Sequence, residues 1–178
     1  MKNIVVGGGC FWCLEAIFSR IRGVSGVTSG YCGGDVIDPS YESVCTGQTG
    51  HAEVVRVVYD PDKISLDDLL DIFFNVHDPT TLNKQGNDVG TQYRSEVFYT
   101  TPEEKLAAQA AIDRFAENLN NSNTVVTKIS PLETFYPAEQ YHHNYYSLHP
   151  TVPYCQAVVS PKVRKFMDSY KHFLDQPE

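Results

Sequence analysis

The sequence predicts an α+β fold: a split βαβ, ferredoxin-like core with a mixed, mainly antiparallel sheet, followed by a long irregular C-terminal segment. Three observations carry this expectation. Apolar β-branched runs alternate with runs at helical spacing in the order β-α-β-β-α-β-α-β, and the first six elements are those of a split βαβ core. At 178 residues the chain suits one domain large enough to bury a core without metals or disulfides. Beyond Pro131 the pattern gives way to the aromatic stretch FYPAEQYHHNYYSLHPTVPYC. The core is therefore expected over about residues 3–130 and the irregular segment over about 131–178.

Each element has its own signal. Ile4, Val5 and Val6 in NIVVGG read as a short buried strand, and FWCLEAIFSRI sets Phe11, Leu14, Phe18 and Ile21 at helical spacing. GVTSGYCGG is a second strand ending in glycines, and HAEVVRVVYD is a β-branched third strand closed by Asp60-Pro61. Ser65, with Asp68 three residues on, caps the helix LDDLLDIFFNVH. RSEVFYT is a strand. Thr101-Pro102-Glu103-Glu104 is a capping box with proline at the first helical position, opening a helix expected to end near Leu119. TVVTKIS is a further strand. Short helices are expected over 138–146 and 161–173, with 77–93 and 147–160 as ordered loops of the kind that carry binding groups.

Composition narrows the function classes. With 42% hydrophobic and 20% charged residues the chain has the balance of a soluble globular protein. No stretch approaches the roughly 18 apolar residues of a membrane span. The N-terminal run is broken by glycines and Glu15, unlike a secretory signal, and nine residues before Cys10 leave no room for a lipoprotein leader. A formal charge of −8 argues against nucleic acid or an anionic membrane as partner; the most basic patch is Lys162, Arg164 and Lys165. Five cysteines, an odd number, suit a reducing cytoplasm.

The chemistry concentrates in GGGCFWCLE, residues 7–15. Cys10 follows a strand and three glycines and begins a helix, where free N–H groups and the helix dipole favour the attacking thiolate. Two other readings of C-x-x-C compete. A zinc site lacks a second cysteine pair, although His142, His143 and His149 could complete one with Cys10 and Cys13. A thioredoxin-like dithiol is the alternative enzyme, but only nine residues precede Cys10 where that order needs a βαβ unit. Phe11 and Trp12 beside a nucleophile would make a pocket for a small apolar group. Glu53 enters a strand of valines on the face of Val55, Val57 and Tyr59, opposite Arg56, where an apolar setting would make its carboxyl a proton donor near pH 7. His51 is a weaker candidate base. The polar loop QGNDVGTQYRS offers Asp88 and Tyr93, and Tyr41 is a further phenol. Cys32 and Cys45 read as structural small residues, and Glu15 as a first-turn carboxylate favoured by the helix dipole.

The motifs GGCFWCLE, GYCGG, YESVCTGQTGHAEVV, NKQGNDVGTQYRS and PAEQYHHNYY…YC, in this order over roughly residues 4–157, closely resemble the methionine sulfoxide reductase A family. The resemblance implies a modified ferredoxin-like fold with a coiled C-terminal segment, no cofactor, and thioredoxin as reductant. It also implies roles. Cys10 matches the nucleophile, and Phe11 and Trp12 match the pocket for the sulfoxide's methyl group. Glu53 matches the acid facing the sulfoxide oxygen, Tyr41 and Tyr93 its hydrogen-bonding phenols, and Asp88 the loop carboxylate. Cys155 matches the first C-terminal resolving cysteine. The sequence departs from the pattern twice: Cys13 stands where glycine is common, and no second distal cysteine follows Cys155. Cys13 is thus a helper thiol or a bystander. The expected enzyme reduces the S epimer of methionine sulfoxide, free or in proteins, as a monomer.

Overall fold

A computed structural model describes residues 1–120 and 124–175. Strand β1 (Lys2–Gly7) leads into helix α1 (Phe11–Phe18), then β2 (Val24–Cys32), a short α2 (Tyr41–Cys45) and β3 (Ala52–Tyr59). Helix α3 (Leu66–Val76), a two-residue hairpin of β4 (Lys84–Gln85) and β5 (Asp88–Val89), and β6 (Glu96–Tyr99) follow. After α4 (Pro102–Ala116), β7 (Lys128–Pro131) and β8 (Tyr136–Pro137), the chain ends in α5 (Tyr145–Leu148) and α6 (Ser160–Ser169).

The main sheet runs β7-β6-β1-β3-β2-β8, and only β6–β7 is a parallel pair. Its inner order β6-β1-β3-β2 is that of two interleaved βαβ crossovers: β3 lies between β1 and β2, and β1 between β3 and β6. The expected split βαβ core is thus present. Side-chain alternation divides the sheet into two faces. Ile4, Val6, Val55, Val57, Tyr59 and Val97 pack with residues of α1, α3, α4 and α6, while Val5, Cys32, Ala52, Val54 and Phe98 form a smaller cluster under Leu132 and Phe135.

Local chemistry accounts for the departures from expectation. The stretch around Tyr41 makes a helix because Ser40 and Ser43 cap it reciprocally, Ser40 Oγ accepting from Ser43 N at 3.1 Å. The helix expected over 138–146 is split into a 3₁₀ turn at Gln140–His142 and α5, because Asn144 takes a left-handed φ of 55°. The strand expected from Thr124 begins only at Lys128, since Val126 N is drawn to Pro79 O at 2.8 Å. Helix α4 stops at Ala116, three residues short of Leu119. The loop expected to run to residue 160 instead closes with a π-helical turn, Cys155–Val159, continuous with α6. The segment expected to end at residue 178 is described to Asp175.

His77, just past α3, buttresses the loop after β1. One ring nitrogen donates to Phe73 O at 2.5 Å, so the other accepts from the Ser95 hydroxyl at 2.7 Å. The ring fills the space beside Gly8: a Cβ there would lie 2.8 Å from His77 Cδ2. Burial holds the imidazole neutral and lowers its pKa from 6.5 to about 4, with the Lys162 charge adding and the Phe73 carbonyl opposing. Between pH 6.5 and 4 the unfolded chain takes up this proton and the folded protein refuses it, so stability falls as pH falls through that window. Urea unfolding of the parent and His77→Gln at pH 7 and pH 4 should show a pH-dependent loss larger in the parent by about 2–3 kcal/mol. Equal losses would show that His77 is not held neutral.

Candidate active site

The loop Gly7-Gly8-Gly9 turns the chain from the end of β1 into α1. Gly9 adopts φ +86°, a left-handed conformation that a side chain disfavours, and its N–H donates to Tyr93 O at 3.2 Å. Cys10 then occupies the N-cap of α1, 8% exposed. Two groups favour its anion, the Trp12 N–H of the first helical turn and the Tyr154 hydroxyl. They do not win. Burial, with the nearby Glu53 carboxyl and Cys13, raises the Cys10 pKa well above the ordinary thiol value of 9.0. The helix N-terminus favours the thiolate, as expected, but desolvation outweighs it.

Glu53 is the second titratable group of the site. It lies at the start of β3, opposite Tyr31 of β2, and is 1% exposed. Its Oε1 accepts from Phe11 N at 3.2 Å, the free N–H at the mouth of α1. Burial drives its pKa up to about 8 and the Asp88 charge adds to this, while the Phe11 N–H and the Cys10 thiol pull the other way. At pH 7 the carboxyl is therefore mostly protonated. A neutral acid and a neutral thiol share one dry pocket.

Aromatic rings wall it. Phe11 packs against Tyr31, Tyr41 and His142 at ring-centroid distances of 5.7, 6.5 and 5.1 Å. Trp12 stacks on Tyr145 at 3.8 Å and 5° and meets Tyr154 edge-on at 5.7 Å. Burial keeps the Tyr93 and Tyr41 phenols well above their ordinary pKa of 10; Tyr93 is an electrostatic neighbour of Glu53, Asp88 and Cys10, and Tyr41 of Glu53. Cys45 is exposed beside Tyr41, so it sits at the rim and not in the core. Asp88 accepts from the Tyr154 hydroxyl at 2.6 Å. The site thus gathers Cys10, Phe11, Trp12, Tyr41, Glu53, Asp88 and Tyr93 from five separate parts of the chain.

The C-terminal segment supplies residues that the sequence reading did not assign. Glu139 accepts from Tyr31 Oη at 3.0 Å, Tyr41 N at 3.1 Å and Tyr141 Oη at 3.0 Å, tying the segment to two walls. His142, 1% exposed, accepts the Trp12 indole proton on Nδ1 at 3.1 Å. Glu15 is corrected: it lies beyond the first turn of α1, buried, and accepts from Asn144 N at 3.0 Å at the start of α5. Only Tyr154 carried a local signal, its place beside Cys155. His51 is committed elsewhere, accepting from Gly34 N at 3.0 Å and donating to Val36 O at 2.7 Å.

All five cysteines are free thiols. Cys13 is 3% exposed, and burial raises its pKa to about 11; the Lys162 charge opposes this, and Asp88 and Cys155 add to it. Cys13 is therefore within electrostatic reach of both Cys10 and Cys155. Cys155 is fully buried at the start of the π turn, which raises its pKa too. Among the described residues no group of three or more His, Cys, Asp or Glu side chains could hold a metal ion, so the zinc reading gains no support.

The family model for peptide methionine sulfoxide reductase matches residues 2–174. The chain belongs to that family. It is 55% identical over 168 residues to peptide methionine sulfoxide reductase MsrA of Nautilia profundicola, covering 94% of this chain and 95% of that one. It is 51% identical over 170 residues to the enzyme of the same name from Sulfolobus acidocaldarius, covering 96% of each. Methionine sulfoxide reductase A of Corynebacterium diphtheriae superposes with a TM-score of 0.81 at 35% identity, over 85% of this chain and 76% of that one. Mxr1 from Saccharomyces cerevisiae in complex with Trx2 superposes with a TM-score of 0.56 at 27% identity, over 79% and 83%.

The burial pattern sets the order of thiol reactivity. Alkylation of the reduced protein with iodoacetamide at pH 7.5, followed by peptide mass spectrometry, should label Cys45 first and Cys10, Cys13, Cys32 and Cys155 at least tenfold more slowly. Faster labelling of Cys10 than of Cys45 would mean a resting thiolate and contradict the dominance of burial.

Proposed function

We propose that the protein reduces the S epimer of methionine sulfoxide, free or in proteins, to methionine. One observation carries the reading: the Cys10 thiol and a Glu53 carboxyl with a pKa of about 8 meet in a dry pocket bounded by Phe11 and Trp12. Sulfoxide oxygen leaves only when protonated, so the chemistry needs a proton donor and a sulfur nucleophile on the same sulfoxide. The aromatic pair takes the methyl group, Glu53 hydrogen-bonds the oxygen, and Tyr41 and Tyr93 add phenol donors. Asp88, held by Tyr154, lines the entrance. With methyl and oxygen sites on fixed walls, one configuration at sulfur fits.

Cys10 sulfur attacks the sulfoxide sulfur as Glu53 gives its proton to the oxygen, and the thiol proton replaces the one Glu53 gave. The oxygen then passes from the methionine sulfur to the Cys10 sulfur as the new S–S bond breaks, so methionine leaves as the sulfide and Cys10 holds the oxygen as sulfenic acid. Cys155 condenses with it, forming a disulfide and one water. Cys13, an electrostatic neighbour of both thiols, either exchanges with that disulfide or stays silent. An external dithiol then restores both thiols and is itself oxidised. Thioredoxin is the proposed reductant, and the solved complex of Mxr1 with Trx2 supports this choice. The protein acts as a monomer in the cytoplasm, needs no cofactor, and works as a single catalytic domain. No described helix is long and apolar enough to cross a membrane.

Product analysis on a mixture of both sulfoxide epimers tests the reading: only the S form should be consumed, stopping near half conversion. Cys10→Ser should be inactive, and activity within tenfold of the parent would remove Cys10 from its role. Glu53→Gln should slow single turnover roughly 10²–10³-fold. In the parent that rate should fall above about pH 8, where Glu53 loses the proton it must donate, and the variant should lack this fall. A Glu53→Gln protein as fast as the parent would place the acid elsewhere.

Cys155→Ser should keep one full turnover and lose most thioredoxin-driven cycling, with Cys13→Ser losing much less. Peptide mapping after one equivalent of substrate decides the order. A dominant Cys10–Cys13 bond with Cys155 free would reverse it.

A further inference from the structure

We propose that His142 is a positioning residue that holds Trp12 in place by accepting its indole proton, and thereby sets the shape of the methyl pocket. The inference rests on the reading that Trp12 lines that pocket. Tryptophan has a single polar group, an N–H that can only donate. In Trp12 it points at His142 Nδ1, 3.1 Å away. Nδ1 must then be bare, and the ring's proton must sit on Nε2.

That tautomer leaves a trace elsewhere. Nε2 is buried without a hydrogen-bond partner, standing 3.8 Å from Glu139 Oε2. A flip of the ring would put a carbon against the indole N–H, and a second proton would set N–H against N–H. The ring therefore keeps its bond to Trp12 and leaves Nε2 unpaired. Its surroundings lock it there: the centroids of Tyr41 and Tyr141 lie 4.4 and 4.2 Å away, and that of Phe11 5.1 Å.

Trp12 needs such an anchor. Its stack on Tyr145 and edge contact with Tyr154 are tolerant of sliding within the ring plane, whereas a hydrogen bond fixes that coordinate. The charged and titratable groups acting on His142 are Glu139 and Glu42, which favour its protonation, and His143, which opposes it. Burial is the largest influence and keeps the ring neutral below its ordinary value of 6.5, so the acceptor persists at neutral pH. The phenols of Tyr41 and Tyr141, shifted upward, carry no charge there.

Trp12 is the only tryptophan in the chain, so the protein holds its own reporter. In a ¹H–¹⁵N spectrum its indole gives one resonance. In the parent that resonance should stay fixed from pH 8 to 6.5 and move only as His142 protonates below 6.5. In His142→Phe it should move upfield at every pH, and KM for methionine sulfoxide should rise about tenfold while kcat stays within threefold. His142→Asn, whose Oδ1 can stand where Nδ1 does, should recover most of both. A parent resonance that titrates at the ordinary histidine pKa, or that His142→Phe leaves in place, would overturn the proposal. So would equal kinetic losses in the two variants. The indole resonance is read without substrate. A parent that reduces no methionine sulfoxide would therefore refute the proposed function separately, whatever the resonance shows.

Discussion

The active-site region depends on one arrangement: a carboxyl buried at the start of a strand against the open N-terminus of a helix. Glu53 accepts from Phe11 N, which joins β3 to α1 at the point where Cys10 begins the helix. An ionised carboxylate would satisfy that N–H best, yet burial favours the protonated acid, and the balance falls near neutrality. The same dryness that holds the acid's proton also holds the thiol's. The two groups are thus coupled by their surroundings before any substrate arrives, and neither pKa can be altered without disturbing the other.

The dryness is made by the last third of the chain. β8 adds to the free edge of β2, Glu139 gathers two walls and a backbone N–H, and Glu15 holds the start of α5. Tyr145 and Tyr154 then close over Trp12. Glu15 and Glu139 are acceptors for N–H groups that have no helix or sheet partner, so the irregular segment keeps its order through side chains where regular backbone pairing is absent. Phe135 shows the same economy on the opposite face, covering the smaller core while its ring receives the Arg56 guanidinium at 4.6 Å.

Much of this was legible in the residues. The alternation in β3 put Glu53 on the apolar face, and the spacing of Phe11, Leu14, Phe18 and Ile21 marked α1, because both depend on neighbours two to four residues away. What stayed hidden was set from a distance. The upward pKa of Cys10 comes from burial in the folded protein, which the local pattern does not show, and it outweighs the helix N-terminus, a local effect. Glu15 read as a dipole partner because Asn144, its true partner, is 129 positions on. The break at Asn144 escaped because a left-handed residue there is stabilised by tertiary bonds to α1 and not by its own neighbours.

The two ends of the main sheet share a property. β7 and β8, the outermost strands, have four and two residues, and each ends in proline, at Pro131 and Pro137. Proline offers no N–H, so each rim loses a donor where another strand would dock. Edges this short and this blunted cannot template a further strand. Whatever chain comes alongside, the rims of this sheet offer it no open ladder to extend.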